Sequence, residues 1–323
     1  MWPYIQTAAG LVVLLIAGDL IVRGAVSLAA RLGVSKLIIG LTVVAFGTSG
    51  PELVVGIDAA LSGVPVLSLG NVVGSNIANI LLVLGLPALI VPVLSSDHNI
   101  SYNIGYMLAA SVLLMALAAT GALEAWHGVL LLLALIAFIL LSIRHGRRMA
   151  YASHELKDIE GVPDKPYRLP LAIALTIAGL LGLAWGADLL VEGSTTIARR
   201  FGIPEVVIGL TLVAVGTSLP ELVTSFMAAL HRHGDIAIGN VVGSNIFNIF
   251  GILGVTAVIA PVPVPAIFHG FDLPVMTAAA LALAYFVLKR QPIGRWAGIA
   301  FIIAYIGYVI GLALLTSSTG VAR

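Results

Sequence analysis

Residues 37–86 read LIIGLTVVAFGTSGPELVVGIDAALSGVPVLSLGNVVGSNIANILLVLGL. Residues 206–255 read VVIGLTLVAVGTSLPELVTSFMAALHRHGDIAIGNVVGSNIFNIFGILGV. Without a gap, 28 of the 50 positions are identical at an offset of 169. Each copy carries GTSxPE and then GNVVGSNIxN, in surroundings apolar enough to lie in lipid. Hydrocarbon offers no water to satisfy polar groups, so such blocks must be buried against protein, ions or a water-filled cavity. Two equivalent polar blocks in one chain point to two half-sites that complete each other.

The composition agrees. Sixty per cent of residues are hydrophobic and ten per cent charged, where a soluble domain carries about 25% charge. The chain therefore reads as an all-α polytopic membrane protein. Apolar runs long enough to cross a bilayer fall near 3–22, 37–62, 66–92, 101–120, 125–143, 168–197, 203–231, 235–262, 271–289 and 295–316. The first run lacks a basic leader and reads as a span, not a cleaved signal. A polar stretch, HGRRMAYASHELKDIEGVPDKPYR at 145–168, divides five spans from five. This organises the chain as a first repeat (1–144), a linker loop (145–167) and a second repeat (168–323).

Charge sets the expected orientation. With the 145–167 loop in the cytoplasm, thirteen basic residues lie inside and only Arg199, Arg200 and Arg323 outside. That bias predicts external termini, and the membrane is expected to be the plasma (inner) membrane. The net charge of +1, spread over loops, gives no footprint for nucleic acid. The absence of cysteine rules out disulfides and thiolate metal sites. No nucleophile–base set, HExxH or P-loop is present, so the chain does not read as an enzyme. No cofactor and no obligate protein partner is implied; the bilayer itself is the surrounding partner.

The repeat reaches beyond the polar blocks. AGDLIVRG at 17–24 aligns with GADLLVEG at 186–193 at the same offset, pairing Asp19 with Asp188. Both acids are expected near helix ends, as supporting or packing groups, and Asp58 near the surface. Five spans per copy, an odd number, force the two copies to insert in opposite orientations. Two inverted five-helix repeats meeting at the midplane suit alternating access.

In GTSGPE (47–52), Gly47 is a flexible point, Thr48 and Ser49 are cap types, and Pro51 lacks an amide proton. This order predicts one half-helix stopping and another starting inside the span. It also releases carbonyls between Ala45 and Thr48. GTSLPE at 216–221 repeats every element. Glu52 and Glu221 fall within their spans, where an unpaired carboxylate costs several kcal/mol by order of magnitude. Neither span offers a nearby Lys or Arg. Facing one another, the two acids can neutralise one divalent cation; alternatively each is protonated, or the two share a proton.

In GNVVGSNIAN (70–79), Asn71, Ser75 and Asn79 stand at i, i+4 and i+8, one polar stripe on a helix. Asn240, Ser244 and Asn248 repeat it. Gly70 and Gly74 have the small-xxx-small spacing of closely packed membrane helices. Beside the glutamates, Ser75, Asn79, Ser244 and Asn248 read as ion ligands, whereas Asn71, Asn76, Asn240 and Asn245 read as structural. Every candidate donor is oxygen, which favours hard cations such as Ca²⁺ and Na⁺ over zinc or copper. Mg²⁺ holds its water too tightly for an all-protein cage.

On these residues the chain resembles the cation/calcium exchanger superfamily, and within it the prokaryotic sodium/calcium antiporters. GTSGPE with GNVVGSNIAN is similar to the first family repeat and GTSLPE with GNVVGSNIFN to the second. The ten-span layout matches across nearly the whole chain. The resemblance implies a Ca²⁺ site of Glu52 and Glu221 with the carbonyls of Thr48 and Thr217. It implies an outer Na⁺ site of Ala214 carbonyl, Ser218, Ser75 and Glu52, and an inner one of Ala45 carbonyl, Ser49, Ser244 and Glu221. Asn79 and Asn248 would line the centre. Na⁺-driven Ca²⁺ extrusion is the implied activity.

Two positions depart from the pattern. Some potassium-coupled relatives carry Asp where this chain has Asn248, and Gly50 replaces the usual leucine of GTSLPE. A proton/calcium antiporter is the nearest rival, but those relatives place an acid where this chain has Gly74 and Gly243. A channel needs no inverted broken half-sites, and a scaffold needs no buried glutamates.

Overall fold

The computed structural model describes residues 2–95, 97, 100–152, 166–202 and 214–318. Its two longest helices are α1 (Trp2–Leu32) and α9 (Leu169–Arg200). Each confines proline to its first turn, where the missing N–H costs nothing. They pack antiparallel along their length, because glycines let the backbones touch. A Cβ on Gly10 would stand 2.6 Å from Leu190 N, and one on Gly24 2.5 Å from Thr176 Oγ1. The first span, expected at 3–22, thus runs ten residues further, sustained by this seam.

Between them, α2 (Lys36–Ile39) passes through a π-turn (Gly40–Val44) into α3 (Ala45–Thr48). The chain then bends by 45° at Ser49 into α4 (Gly50–Leu61). Helix α5 (Val66–Ala78) leads through a π-turn (Asn79–Val83) to α6 (Gly85–Ala88). Helices α7 (Ile100–Ala118) and α8 (Ala125–Ala152) follow. Helix α8 enters the polar stretch expected to form the linker; residues 153–165 lie outside the described part.

After α9 come α10 (Ala214–Thr217), α11 (Leu219–Leu230) and α12 (Gly234–Phe247). A π-turn (Asn248–Ile252) joins α12 to α13 (Leu253–Ile259). Helices α14 (Leu273–Leu288) and α15 (Arg295–Ser318) complete the described chain. Strands β1 (Ala122–Leu123) and β2 (Val262–Pro263) pair antiparallel, Leu123 opposite Val262, and an isolated bridge joins Val93 to Ile293. Both clamps tie loops of the first half to loops of the second.

Eight described helices are long and apolar enough to cross a membrane, and the bent pair Lys36–Thr48 with Gly50–Leu61 adds a ninth. The remaining expected span, 203–231, begins in residues outside the description; α10 and α11 are its described part. The chain is a multi-pass membrane protein. Its centre is formed by the helices bearing GNVVGSN: the best apolar window is 78% buried in Gly234–Ile259 and 67% in Val66–Ala88, against 17% in Arg295–Leu315. The repeated polar blocks therefore occupy the core and the purely apolar helices its outside.

Candidate ion site

The site is built where the two broken segments meet α5 and α12. Proline at the start of α4 and α11 deprives the preceding turn of a donor. In the first copy, Gly47 O accepts instead from Ser49 N–H, and Ser49 N also lies 3.0 Å from Ala45 O. Ser49 and Ser218 take matching conformations, with φ −83° and ψ 10° in one and φ −86° and ψ 4° in the other. Each break places its glutamate in the first turn of the following helix, and Glu52 and Glu221 are both 1% exposed.

Contacts cross between the copies. Ser49 Oγ donates to Glu221 Oε1 at 2.8 Å. Ser244 Oγ donates to Ala45 O at 3.4 Å. The Thr48 hydroxyl lies 3.2 Å from Ala45 O and 3.2 Å from Asn240 Oδ1. Asn240 Nδ2 reaches Ser225 Oγ at 3.1 Å and Glu221 O at 3.3 Å. The groups expected to form the inner Na⁺ subsite (Ala45, Ser49, Ser244 and Glu221) are thus linked by hydrogen bonds. On the other side, Ser218 is buried and α10, with Ala214 and Thr217, packs against α5, which bears Ser75. Thr217 is only partly buried.

Asn79 and Asn248 each open a π-turn, a geometry often found at functional positions because it redirects one side chain. The turn at Asn79 packs against α11, which carries Glu221, and the turn at Asn248 packs against α4, which carries Glu52. Asn79 Nδ2 donates to Asn245 Oδ1 at 3.1 Å, and Asn248 Nδ2 to Asn76 Oδ1 at 3.0 Å. Asn76 and Asn245 exchange reciprocal bonds: Asn76 Nδ2 to Asn245 O at 3.3 Å and Asn245 Nδ2 to Asn76 O at 3.2 Å.

Five buried polar atoms of the predicted set make no hydrogen bond among the described residues: Glu52 Oε2, Glu221 Oε2, Ser218 Oγ, Asn79 Oδ1 and Asn248 Oδ1. Buried polar atoms are normally paired, and an orphan costs about 1–3 kcal/mol. Orphan oxygens on both carboxylates, on Ser218 and on the two asparagines suit a hard cation, which takes oxygen ligands. No group of three or more His, Cys, Asp or Glu able to hold a metal occurs among the described residues; the acids of the predicted set are Glu52 and Glu221, and its other donors are neutral oxygens.

Other expectations need adjusting. Asp19 sits well inside the lengthened α1, where it pairs with Arg23 Nε at 2.7 Å and His231 Nε2 at 2.9 Å. It ties α1 to the end of α11 instead of supporting the ion site. Asp188 also lies well inside its helix, α9, and is exposed, while Asp58 is exposed as expected. Asn240 proves to touch both broken segments. Asn76 and Asn245 hold the residues expected to line the centre; their identity in both copies was the available signal.

A family model described as sodium/calcium exchanger protein matches residues 2–144 and 171–314. The putative antiporter CaxA of Alkalimonas amylolytica is 39% identical over 302 residues, covering 93% of this chain and 95% of that protein. The sodium/calcium exchanger MaX1 of Methanosarcina acetivorans is 35% identical, with 94% and 96% covered. A solved structure of the sodium-calcium exchanger NCX_Mj soaked with Na⁺ and Ca²⁺ superposes with a TM-score of 0.83 at 34% identity, covering 97% of this chain and 99% of that one.

Proposed function

The chain belongs to the sodium/calcium exchanger protein family, and from that premise we propose that it is a secondary active antiporter exchanging Na⁺ for Ca²⁺ by alternating access. The observation that carries the reading is the set of buried, unbonded oxygens on Glu52, Glu221, Ser218, Asn79 and Asn248. Ca²⁺ takes six to eight oxygen ligands and cancels the charge of two carboxylates. Glu52, Glu221 and the carbonyls of Thr48 and Thr217 supply that shell. Na⁺ binds the flanking subsites: Ala214 carbonyl, Ser218, Ser75 and Glu52 on the outer side, Ala45 carbonyl, Ser49, Ser244 and Glu221 on the inner. Each subsite uses one calcium-binding carboxylate, so Na⁺ entry weakens the hold on Ca²⁺. Asn79 and Asn248 line the space between.

Ten spans in two inverted repeats (1–144 and 168–323) give this site its symmetry. Support comes from contacts that recur at the 169 offset, Asn76 with Asn245 and Asn79–Asn245 with Asn248–Asn76. The basic residues favour a cytoplasmic 145–167 loop and external termini in the plasma membrane, with Ca²⁺ efflux driven by Na⁺ influx. Purified protein in vesicles loaded with Na⁺ should take up ⁴⁵Ca²⁺ from Na⁺-free medium. Uptake that proceeds equally on a proton gradient with Na⁺ absent would replace Na⁺ by H⁺ as the coupling ion.

A further inference from the structure

We infer that Asn76 and Asn245 are positioning residues that fix which atom of Asn248 and Asn79 faces the ion; the inference rests on the antiport reading above. A carboxamide side chain has one accepting and one donating end, and either can point either way unless its neighbours choose. Here the choice is made by groups that only accept. The backbone carbonyl of Asn76 lies 3.2 Å from Asn245 Nδ2, and Met107 Sδ lies 3.9 Å from the same nitrogen. A carbonyl and a thioether accept hydrogen bonds and do not donate, so the nitrogen of Asn245 must face them.

Asn245 Oδ1 is thereby left toward Asn79 and accepts from its Nδ2 at 3.1 Å. Asn79 Oδ1 is turned the other way, buried and unbonded among the described residues. The second relay is built alike. Asn76 Nδ2 faces Asn245 O at 3.3 Å and Met276 Sδ at 3.8 Å, Asn76 Oδ1 accepts from Asn248 Nδ2 at 3.0 Å, and Asn248 Oδ1 is left buried and unbonded. Each half of the chain thus orients the ligand amide of the other half. With the relay intact, two neutral oxygens are presented. With it cut, the amide can rotate and present its N–H₂ end, which repels a cation.

The relays are separable. Deleting the Asn245 side chain leaves its backbone carbonyl, and so leaves Asn76 and Asn248 held as before. The test is a pair of double-mutant cycles on Na⁺-driven ⁴⁵Ca²⁺ uptake in vesicles, reading KM for Ca²⁺ apart from kcat. Asn245→Ala is expected to raise KM about tenfold, as loss of a partner that orients a metal ligand does, with kcat little changed. Adding it to Asn79→Ala should cost nothing more, since its target is gone. Adding it to Asn248→Ala should multiply the two losses.

Losses that multiply equally in both pairs overturn the inference and leave Asn245 as packing. If Asn245→Ala does not fold, Asn76→Ala with Asn248→Ala (same relay) and with Asn79→Ala (opposite relay) gives the same two outcomes. A parent protein that takes up no Ca²⁺ against Na⁺ overturns the antiport reading and this one with it. An active parent with multiplied losses overturns the orientation alone.

Discussion

Ser49 of the first copy donates to Glu221 of the second at 2.8 Å, so the break in one half of the chain is closed by the acid of the other. Neither polar block is a site by itself. The closure runs one way: Ser218 Oγ and Glu52 Oε2, the corresponding pair at the second break, make no hydrogen bond among the described residues. Glu221 thus sits inside its span with no Lys or Arg beside it, one of its oxygens met by the Ser49 hydroxyl.

Glu52→Gln and Glu221→Gln should each abolish Ca²⁺ exchange while the protein still elutes as a monodisperse species. A single carboxylate cannot balance a divalent ion in a dry site, and Gln offers one acceptor oxygen where Glu offers two. Near-parental ⁴⁵Ca²⁺ uptake by either variant would remove these residues from the site.

Ser75→Ala and Ser244→Ala should chiefly weaken dependence on Na⁺. Ser244 lies 3.4 Å from the Ala45 carbonyl, next to the groups assigned to the inner Na⁺ subsite, and neither serine is assigned to the calcium shell. The Na⁺ concentration giving half-maximal exchange is expected to rise several-fold, with KM for Ca²⁺ moving less. Equal shifts in both would place the serines elsewhere.

Much of this was readable in the residues because glycine, proline and buried acid have local meanings. Pro51 and Pro220 marked the breaks, and the repeat marked the helices that form the centre. What escaped was set by contacts between halves. The length of α1 follows from glycines that seat it against α9, which no single-span periodicity reveals. Asn76 read as structural, but its partner, Asn245, lies 169 residues away, so the bonds it makes were not legible. The π-turns at Asn79 and Asn248 insert one residue into the helical count, so a strict i, i+4 stripe describes α5 and α12 only up to those asparagines.

Gly243→Ala tests the close approach of α12 to the π-turn before the first break. A Cβ there would clash with Leu41 O and the Ala45 side chain. Backbone is the main obstacle, so the helices must separate, at about 1–3 kcal/mol. A lowered Tm is expected, together with reduced transport, because Ala45 carries the carbonyl that Ser244 binds. An unchanged Tm would show that the helices are not packed this closely.

His233 lies outside the spans, at the start of α12, with its Nδ1 3.5 Å from Lys36 Nζ. Burial, then the Lys36 ammonium and His231, lower its pKa from 6.5 to about 4, against a smaller opposing pull from Asp235. A histidine whose folded pKa is depressed binds fewer protons folded than unfolded between pH 6.5 and 4. Its contribution is therefore complete above pH 6.5 and is lost as pH falls toward 4. Allowing for partial exposure and screening, this amounts to about 1–2 kcal/mol. His233→Gln should flatten the fall of Tm across that window. A parallel Tm profile in the variant would assign the acid sensitivity elsewhere.

Asn248→Asp tests the charge of the centre. On the proposed reading, with Asn at 79 and 248 the site carries two carboxylates whose charge one Ca²⁺ cancels, so the parent is expected to exchange without potassium. The substitution puts an oxygen where Asn248 Nδ2 now donates to Asn76 Oδ1. Asn76 cannot turn to suit it, because its nitrogen is held by Asn245 O and Met276 Sδ. Two acceptors would then face each other unless the new acid carries a proton on that oxygen or the contact breaks. Kept as the neutral acid, it ties transport to pH; ionised, it adds a third negative charge that another monovalent cation can balance. Uptake by the variant should therefore acquire a pH or potassium dependence absent from the parent. Superimposable pH and potassium profiles would show that residue 248 does not face the ion.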